Sequence, residues 1–449
     1  MQNLTPLKIL FINYKDIEGG AAIAAYRLSK ALEKYHGTDN YYIVAKKSSA
    51  DPRIMAAIDS PSETKKEIKT FMEFMVNRIT GRLGLQYRYF PFSTRFILKK
   101  AKEIKPHIIS LHNTHGGYFK TSLIEKLSKI APVVWTLHDM WAFTANAAHT
   151  LGDESWKQMK SGKDEKYIYP HIGIDTGKWL LKQKKKTYRR SNLHIVTPST
   201  WMTDMAKQSP VFENKTVTLI PHGLDLDLFN NKERNNCKKA LGIPGEAKVI
   251  LFSSADDLDK SRWKGGPLLT DILKHIDDKT QEPIVALVVG KGRISSAPDF
   301  KHIKIQYTGL VTGERFTPIL MRAADVFIYP TRADSFGLVL LEAIACGTPC
   351  VSFKIGGCVD IIQDDLNGYL IEPFDVQTFA EKTLMLLSDH ETREKFSKSA
   401  RDFAESHFNI KDTAHKYYDL FKKIMMNQGY AHKNQFKVID ERITNPKGV

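Results

Sequence analysis

The sequence predicts an α/β protein built from two doubly wound parallel-sheet domains that face one another across a cleft. Three observations carry that prediction. Short β-branched runs alternate with longer helical patterns along most of the chain, as parallel strands with crossover helices require. The alternation breaks once, at residues 221–245, where Pro, Gly and Asn turn signals stand without a strand between them. The chain has 449 residues, enough for two or three domains. Its roughly eleven strand runs exceed what one compact sheet of ordinary size holds.

The first strand is Lys8–Asn13; the preceding residues lack the long apolar stretch and small-residue cleavage site of a signal peptide. Tyr41–Ala45, His107–Leu111, Val133–Leu137, His194–Thr197 and Thr216–Ile220 follow, with helices at Ala21–Tyr35 and Ser122–Ile130. After the break come strands at Val249–Ser253, Ile284–Gly290, Ile303–Thr308, Val326–Pro330 and Pro349–Phe353. Between them lie helices at Gly265–His275, Glu314–Ala323 and Leu338–Ala345. From about residue 375 to roughly Asn427 the pattern is wholly helical, and the polar last twenty or so residues read as frayed. In open parallel sheets ligands bind at the carboxyl ends of strands, so functional residues are expected there.

A composition of 42% hydrophobic and 26% charged residues is that of a folded protein and argues against whole-chain disorder. No apolar run reaches the ~18–20 residues of a membrane span. Cys237, Cys346, Cys350 and Cys358 form neither a zinc-like CxxC pair nor a disulfide framework, and fit reduced thiols in a cytoplasmic compartment. The net charge is +16, and two segments hold almost all of it: residues 62–105 and residues 176–190 each carry +7. Both interleave apolar and aromatic residues with the charges. Such a surface fits a membrane, a phosphorylated substrate or nucleic acid, and equally a solvated helix face.

Four segments at strand ends carry the chemistry. In FINYKDIEGGAAIAAYRL, Gly19-Gly20 opens a helix, which suits both an anion site and a tight turn; neither GxGxxG nor GK[ST] is present. In VVWTLHDMWAF, His138 and Asp139 follow an apolar strand, where a carboxylate can orient the imidazole or the histidine can simply hold a loop. His112 and His115 follow the preceding strand without a residue to complete a metal set. In FSSADDLDKSRWKGG, Lys260, Arg262 and Lys264 arrive just before a helix, where cations and N–H donors suit a diphosphate, or an ordinary basic loop.

The fourth segment is YPTRADSFGLVLLEAIACGTPCVSFKIGG. Asp334 and Glu342 are separated by seven residues, placing one carboxylate at the helix entrance and the other two turns in, where both can meet vicinal hydroxyls. Glu342 sits in the apolar run LVLLEAIACG, where an unpartnered carboxylate would be costly. N–H groups around Ser335, Phe336, Gly337, Leu338 and Val339 can meet phosphate or sugar oxygens.

At this segment the sequence resembles glycosyltransferase family 4, retaining enzymes of the GT-B fold (two Rossmann-like domains) that use nucleotide-sugar donors, here of the bacterial polysaccharide-synthesis type. The matches run in order through EGGAAIAAYRL, LHNTHGGYF, VVWTLHDMWAFT, IVTPSTWM, LIPHGLDLDLF, the KGG at Lys264, the acid-x7-acid block and LNGYLIEPFD. The resemblance implies an acceptor-binding domain at 1–225, a donor-binding domain at 226–409 and a C-terminal helix at 410–449 that packs back on the first. By the same resemblance Glu342 holds the donor ribose and Asp334 the hydroxyls of the transferred sugar. The backbone at Phe336–Leu338 meets sugar and diphosphate, Lys264 and Arg262 bind the diphosphate, His138 lies near the reacting carbon, Gly19-Gly20 lies beside the phosphates and acceptor, and His112, His115, Asp139 and Trp141 are expected on the acceptor side.

Three departures stand out. Asp334 replaces the family's usual Glu, Ser254-Ala255 stand where the family has an arginine that Lys260 or Arg262 must replace, and His222 replaces an Asn. The expected activity is transfer from a UDP or GDP sugar to a lipid-linked or glycan acceptor, with no metal or other cofactor. Asp225-Leu226-Asp227 and Asp257-Leu258-Asp259 read as loop polarity. The expected location is the cytoplasmic face of an anionic membrane, with nucleic acid the least favoured partner. An epimerase of the same fold and a non-catalytic basic binding protein remain as alternatives, separated by an acceptor requirement and by donor turnover.

Overall fold

The computed structural model describes residues 6–257, 263–294, 298–309, 311 and 313–427. Lys260, Arg262, Asp259 and the C-terminal residues 428–449 lie outside them.

The first half runs β1 (Lys8–Lys15), α1 (Gly20–His36), β2 (Asp39–Lys46), β3 (Ile54–Ala56), α2 (Glu63–Arg82), α3 (Pro91–Ile104), β4 (Ile108–Leu111) and α4 (Leu123–Leu127). It continues through β5 (Val133–Thr136), α5 (Gly177–Arg189), β6 (Leu193–Thr197), α6 (Thr200–Gln208) and β7 (Val217–Leu219). The second half runs α7 (Arg234–Ala240), β8 (Lys248–Asp257), α8 (Gly266–Lys279), β9 (Ile284–Lys291), β10 (Ile303–Gly309), α9 (Thr317–Ala323) and β11 (Val326–Tyr329). After it come α10 (Leu338–Ala345), β12 (Cys350–Phe353), α11 (Cys358–Ile361), β13 (Gly368–Ile371), α12 (Val376–Ser388), α13 (His390–His407) and α14 (Ile410–Met426).

Two parallel sheets result, ordered β3-β2-β1-β4-β5-β6-β7 and β10-β9-β8-β11-β12-β13. The strand order reverses at β1/β4 in the first and at β8/β11 in the second, and such switch points open a crevice at the carboxyl ends of the strands. Strands buried on both faces explain the near-continuous apolar runs. On one face of the first sheet, Leu10, Ile12 and Trp135 pack with Ile97 and Leu181. On the other, Ile9, Phe11, Val134 and Val196 meet Ala414, Tyr417 and Phe421 of α14, and Tyr417 Oη lies 2.8 Å from Thr136 Oγ1. The last described helix is thus part of the first sheet's core.

Several elements depart from expectation for local reasons. The three-residue β3 and the four-residue β13 are too short to carry an alternation of their own; pairing with β2 and β12 makes them strands. β8 runs past Ser253 to Asp257, with a register shift between those residues, so Ser254-Ala255 lie within the strand. Helix α10 has the expected span, Leu338–Ala345, but its cap Gly337 has φ +89° and interrupts the helical path between the two carboxylates. Asp334 therefore sits in a loop and Glu342 little more than one turn into the helix, so the expected helical alignment of the two carboxylates does not hold. Asp225 Oδ1 accepts from the N–H groups of Asp227 and Leu228, an Asx turn that accounts for the first DxD string.

The basic segments also resolve into elements. Residues 62–105 form α2 and α3, and 176–190 form α5. Lys184 is an exception to the surface reading: it is buried, and its ammonium donates to the carbonyls of Trp141, Thr144 and Ala145.

Candidate functional site

On the second-domain side, the site is two loops locked together at the β8/β11 switch point. Asp334 Oδ2 accepts from Lys264 Nζ at 2.5 Å and from Tyr329 Oη at 2.5 Å. Its other oxygen accepts from the N–H groups of Phe336 and Gly337, at 3.1 and 2.9 Å. Burial raises the Asp334 carboxyl, but the Lys264 charge and these hydrogen bonds outweigh it and hold the pKa well below the usual range. Lys264 mirrors this: burial opposes its charge, and Asp334 with Tyr329 more than restores it.

Two glycines permit the fit. Gly265 has φ +74° and packs so closely that an added Cβ would lie 1.8 Å from the Pro330 carbonyl oxygen. Gly356, at φ +56°, would place a Cβ 2.0 Å from the Asp334 carbonyl oxygen. The backbone at Thr331 and Arg332 is tied to the same loop, since Thr331 Oγ1 and the Arg332 N–H both donate to the Trp263 carbonyl. Glu342 is buried and accepts from Arg27 Nη2 at 2.8 Å. Burial raises its pKa, against the pull of that guanidinium.

On the first-domain side a line of imidazoles reaches the cleft. Ser110 Oγ lies 3.1 Å from His112 Nε2, and His112 Nδ1 lies 3.0 Å from His138 Nε2. The His138 ring stacks on His222 at 5.2 Å, and His222 meets Phe336 edge-on at 5.0 Å. Burial, with neighbouring rings adding to it, pushes His138 and His222 down to about 3 and His112 well below its usual value. All three are therefore neutral near pH 7, and one ring of the His112–His138 pair donates to the other.

Beside them His115 Nε2 meets Asp139 Oδ2 at 2.6 Å, while Asp139 Oδ1 accepts from the Trp141 N–H. Burial raises Asp139, but His115 and the hydrogen bonds leave it below the usual range. Gly19 and Gly20 line a surface cavity with Asn13, Tyr14, Glu18 and Asn113, where Asn13 Oδ1 accepts from the Asn113 N–H.

The two sides touch at several points. Ser199 Oγ donates to the Ser335 carbonyl at 2.6 Å, and His149 lies 5.5 Å from the Trp263 ring. The Ser335 hydroxyl and His149 Nδ1 are buried without a hydrogen-bond partner among the described residues, at the loops where a ligand would lie.

Of the residues singled out in the sequence, Lys264, Asp334 and the loop Ser335–Val339 converge, with His138 linked to them through His222 and Phe336. Asp334 is fully engaged in ordering its own loop, and the N–H groups of Phe336 and Gly337 are satisfied by it. Leu338 and Val339 supply first-turn N–H groups that have no intrahelical acceptor. Two residues expected on the acceptor side are buried. Trp141 lines a cavity with Gln86, Trp179 and Lys184, and its indole N–H donates to Gln86 Oε1 at 2.8 Å. His112 is enclosed, with its Nδ1 beside His138 Nε2.

Sequence reading missed Arg27, His149 and Tyr329. Arg27 carried a legible signal, a single cation inside the small-residue run AAIAAYRL; His149 carried none.

Comparison with known proteins adds the following. The description Glycosyltransferase Family 4 matches residues 18–228, and Glycosyl transferases group 1 matches residues 233–403. D-inositol 3-phosphate glycosyltransferase of Saccharomonospora viridis is 30% identical over 306 residues, 65% of this chain and 68% of that protein. D-inositol 3-phosphate glycosyltransferase 1 of Catenulispora acidiphila is 35% identical over 182 residues, 37% of this chain and 42% of the relative. A further relative of that description, from Xylanimonas cellulosilytica, is 30% identical over 199 residues, 41% of this chain and 46% of its own length, so these last two matches span under half of each relative. Among solved structures, sucrose-phosphate synthase from Thermosynechococcus elongatus superposes with TM-score 0.66 at 16% identity, covering 94% of this chain and all (100%) of that one. Anabaena Alr3699/HepE in complex with UDP and glucose gives 0.63 at 17% identity, covering 93% and 100%. At such identities the shared feature is the fold.

Proposed function

Because this chain belongs to glycosyltransferase family 4 and has its GT-B fold, we propose that it moves a sugar from a nucleoside-diphosphate donor to an acceptor hydroxyl with retention at the anomeric carbon. The observation that carries this reading is the Lys264–Asp334 ion pair at the β8/β11 switch point, with Glu342 following in α10. In this reading Glu342 holds the ribose hydroxyls, and the α10 first turn and Lys264 meet the diphosphate. A uridine or guanosine nucleotide fits equally.

Lys264 is already neutralised by Asp334, so a diphosphate needs further positive charge. The N-termini of α8 and α10 supply part of it, and, as the family resemblance implies, Lys260 or Arg262 the rest. The bond from the anomeric carbon to the phosphate oxygen breaks as the bond to the acceptor oxygen forms on the same face. The acceptor proton passes to the departing phosphate. His138, held neutral, contributes hydrogen bonding beside the reacting carbon rather than charge. The leaving group is stabilised by fixed donors, so the reading requires no resident metal.

Glu342→Ala is expected to abolish donor binding and turnover, with the folded state checked by melting. Full activity in that variant, or activity lost to EDTA and restored by Mn²⁺, would contradict this reading.

For the acceptor, we propose a lipid-linked molecule in cell-surface polysaccharide synthesis, reached by peripheral docking on an anionic membrane. Support comes from α2. Ile68, Phe71, Met72, Met75 and Ile79 recur at i, i+3, i+4, i+7 and i+11 and are all exposed, Phe71 by 63% and Ile79 by 52%. Lys65, Lys69, Arg78 and Arg82 lie on the same helix. The opposite face is anchored: buried Glu73 accepts from the N–H groups of Phe92 and Ser93. Asn77 lies against Gly117, in the loop that bears Asn113 and His115.

An apolar stripe on a basic helix beside the acceptor-side loops suits insertion at a lipid headgroup boundary. Among the described residues no helix is long and apolar enough to cross a membrane. Flotation with phosphatidylglycerol vesicles is expected to recover the protein at low salt and less at high salt. Equal recovery with neutral vesicles, or none with either, would end the docking reading.

A further inference from the structure

Arg27 stands where the two domains meet. It lies on α1, the helix that opens at Gly20, and is 8% exposed. Its Nε donates to Glu314 Oε1 at 2.6 Å and its Nη2 to Glu342 Oε1 at 2.8 Å. The guanidinium carbon lies 5.1 Å from the centre of the Phe229 ring, which fixes the plane of the fork from one side. Nη1 is buried and has no hydrogen-bond partner among the described residues.

A guanidinium is a donor only and keeps its proton, whereas a carboxylate such as Glu342 is an acceptor only. A buried N–H of a charged group without an acceptor carries a desolvation cost that a ligand oxygen would remove. The group that can satisfy Arg27 and Glu342 together must both accept and donate. A phosphate oxygen or a base carbonyl only accepts; a hydroxyl does both.

We propose that Arg27 is a donor-binding residue supplied from across the cleft, whose Nη1 donates to a ribose hydroxyl of the nucleoside diphosphate while that ribose donates to Glu342. This rests on the reading of Glu342 as the ribose carboxylate. Arg27 and Glu342 are 315 residues apart and belong to the layers of different sheets. The ribose thereby ties α1 to α10, and nucleotide binding strengthens the contact between the two domains that Arg27 and Glu342 already make. Glu314 acts through Arg27, as the residue that orients its fork.

The test is calorimetric binding of UDP and GDP, and of their 2′,3′-dideoxy forms, to the full-length protein. The wild type is expected to bind the ribonucleotide at least about tenfold more tightly than the dideoxy form. Arg27→Gln is expected to weaken ribonucleotide binding by about 10–100-fold and dideoxy binding by no more than about twofold, because only the former loses a charge-assisted bond. Glu314→Gln should show a smaller loss with the same selectivity.

Melting curves confirm that each variant is folded; if Arg27→Gln is not, Arg27→Lys is read the same way, since it keeps the charge and loses the fork. Equal losses on both nucleotides, or no loss on either, overturn the inference alone. Failure of the wild type to bind any of these nucleotides overturns the donor-site reading and this inference with it.

Discussion

Lys264 Nζ lies 2.5 Å from Asp334 Oδ2, although 70 residues separate them in sequence. The contact joins the loop after β8 to the loop after β11. It keeps a half-buried ammonium and a half-buried carboxylate both charged, and it holds the ammonium against the carboxylate that accepts from the Phe336 and Gly337 N–H groups just before α10. Removing one partner of such a pair strands the other charge.

Lys264→Ala is accordingly expected to lower kcat/KM by about 10²–10³-fold, the scale of losing one preorganised donor at a site of developing charge. Asp334→Asn should lower it too, by releasing Lys264. Asp334→Glu, although it restores the family's usual residue, should weaken donor binding, because the longer chain cannot keep the bonds to the Phe336 and Gly337 N–H groups. Steady-state rates with a nucleotide-sugar series check all three; an Asp334→Glu variant at or above wild-type affinity would refute the last.

The linked imidazoles of the cleft set a pH dependence. His138 and His222 are pushed down to about 3 by burial first and by neighbouring rings second, and His112 is lowered in the same way. Because these folded-state values lie below the unfolded ~6.5, the unfolded chain takes up the extra protons. Stability is full above about pH 6.5 and falls as pH drops toward 3, by about 1.4 kcal/mol per pH unit for each ring. Urea midpoints between pH 7 and 5, above the range where carboxylates titrate, should decline accordingly. His222→Asn should make the slope shallower. A flat wild-type profile across that window would show that the rings are not held neutral.

Gly265→Ala should be strongly destabilising and should disconnect the Lys264 loop. The added Cβ would lie 1.8 Å from the Pro330 carbonyl oxygen, and the backbone φ of +74° is strained for any side chain. A loss of about 2–4 kcal/mol is expected from strain and displacement together, read as a drop in melting temperature with weakened nucleotide binding. Gly245→Ala, where a Cβ meets nothing within 4 Å, is the control.

On α2, Phe71→Ser with Ile79→Ser should abolish flotation with anionic vesicles while leaving the melting temperature and donor affinity close to wild type, because both side chains face solvent. Retained flotation would place membrane contact elsewhere.

What was legible in the sequence was local. The strand–helix alternation, the break at 221–245 and the block from Asp334 to Glu342 can be read because a strand end, a glycine turn and a helix start lie within a few residues of one another. Lys264 could be placed at a helix N-terminus for the same reason. The partner of Trp141 was not legible, because its indole N–H donates to Gln86, 55 residues away in sequence. Lys184 was counted as surface charge because composition does not reveal three converging carbonyls.

The sequence by itself determined that there would be two parallel-sheet domains and where their strands end, since periodicity and turn residues act over short spans of backbone. Only the tertiary structure decided that Asp334 is spent on Lys264 and its own loop, that His112 supports His138, that α14 closes the first sheet, and that Arg27 reaches Glu342. Those pairings join residues tens to hundreds of positions apart. They are fixed by the cost of leaving buried charges and N–H groups without partners, a cost that exists only once the two sheets have brought the residues together.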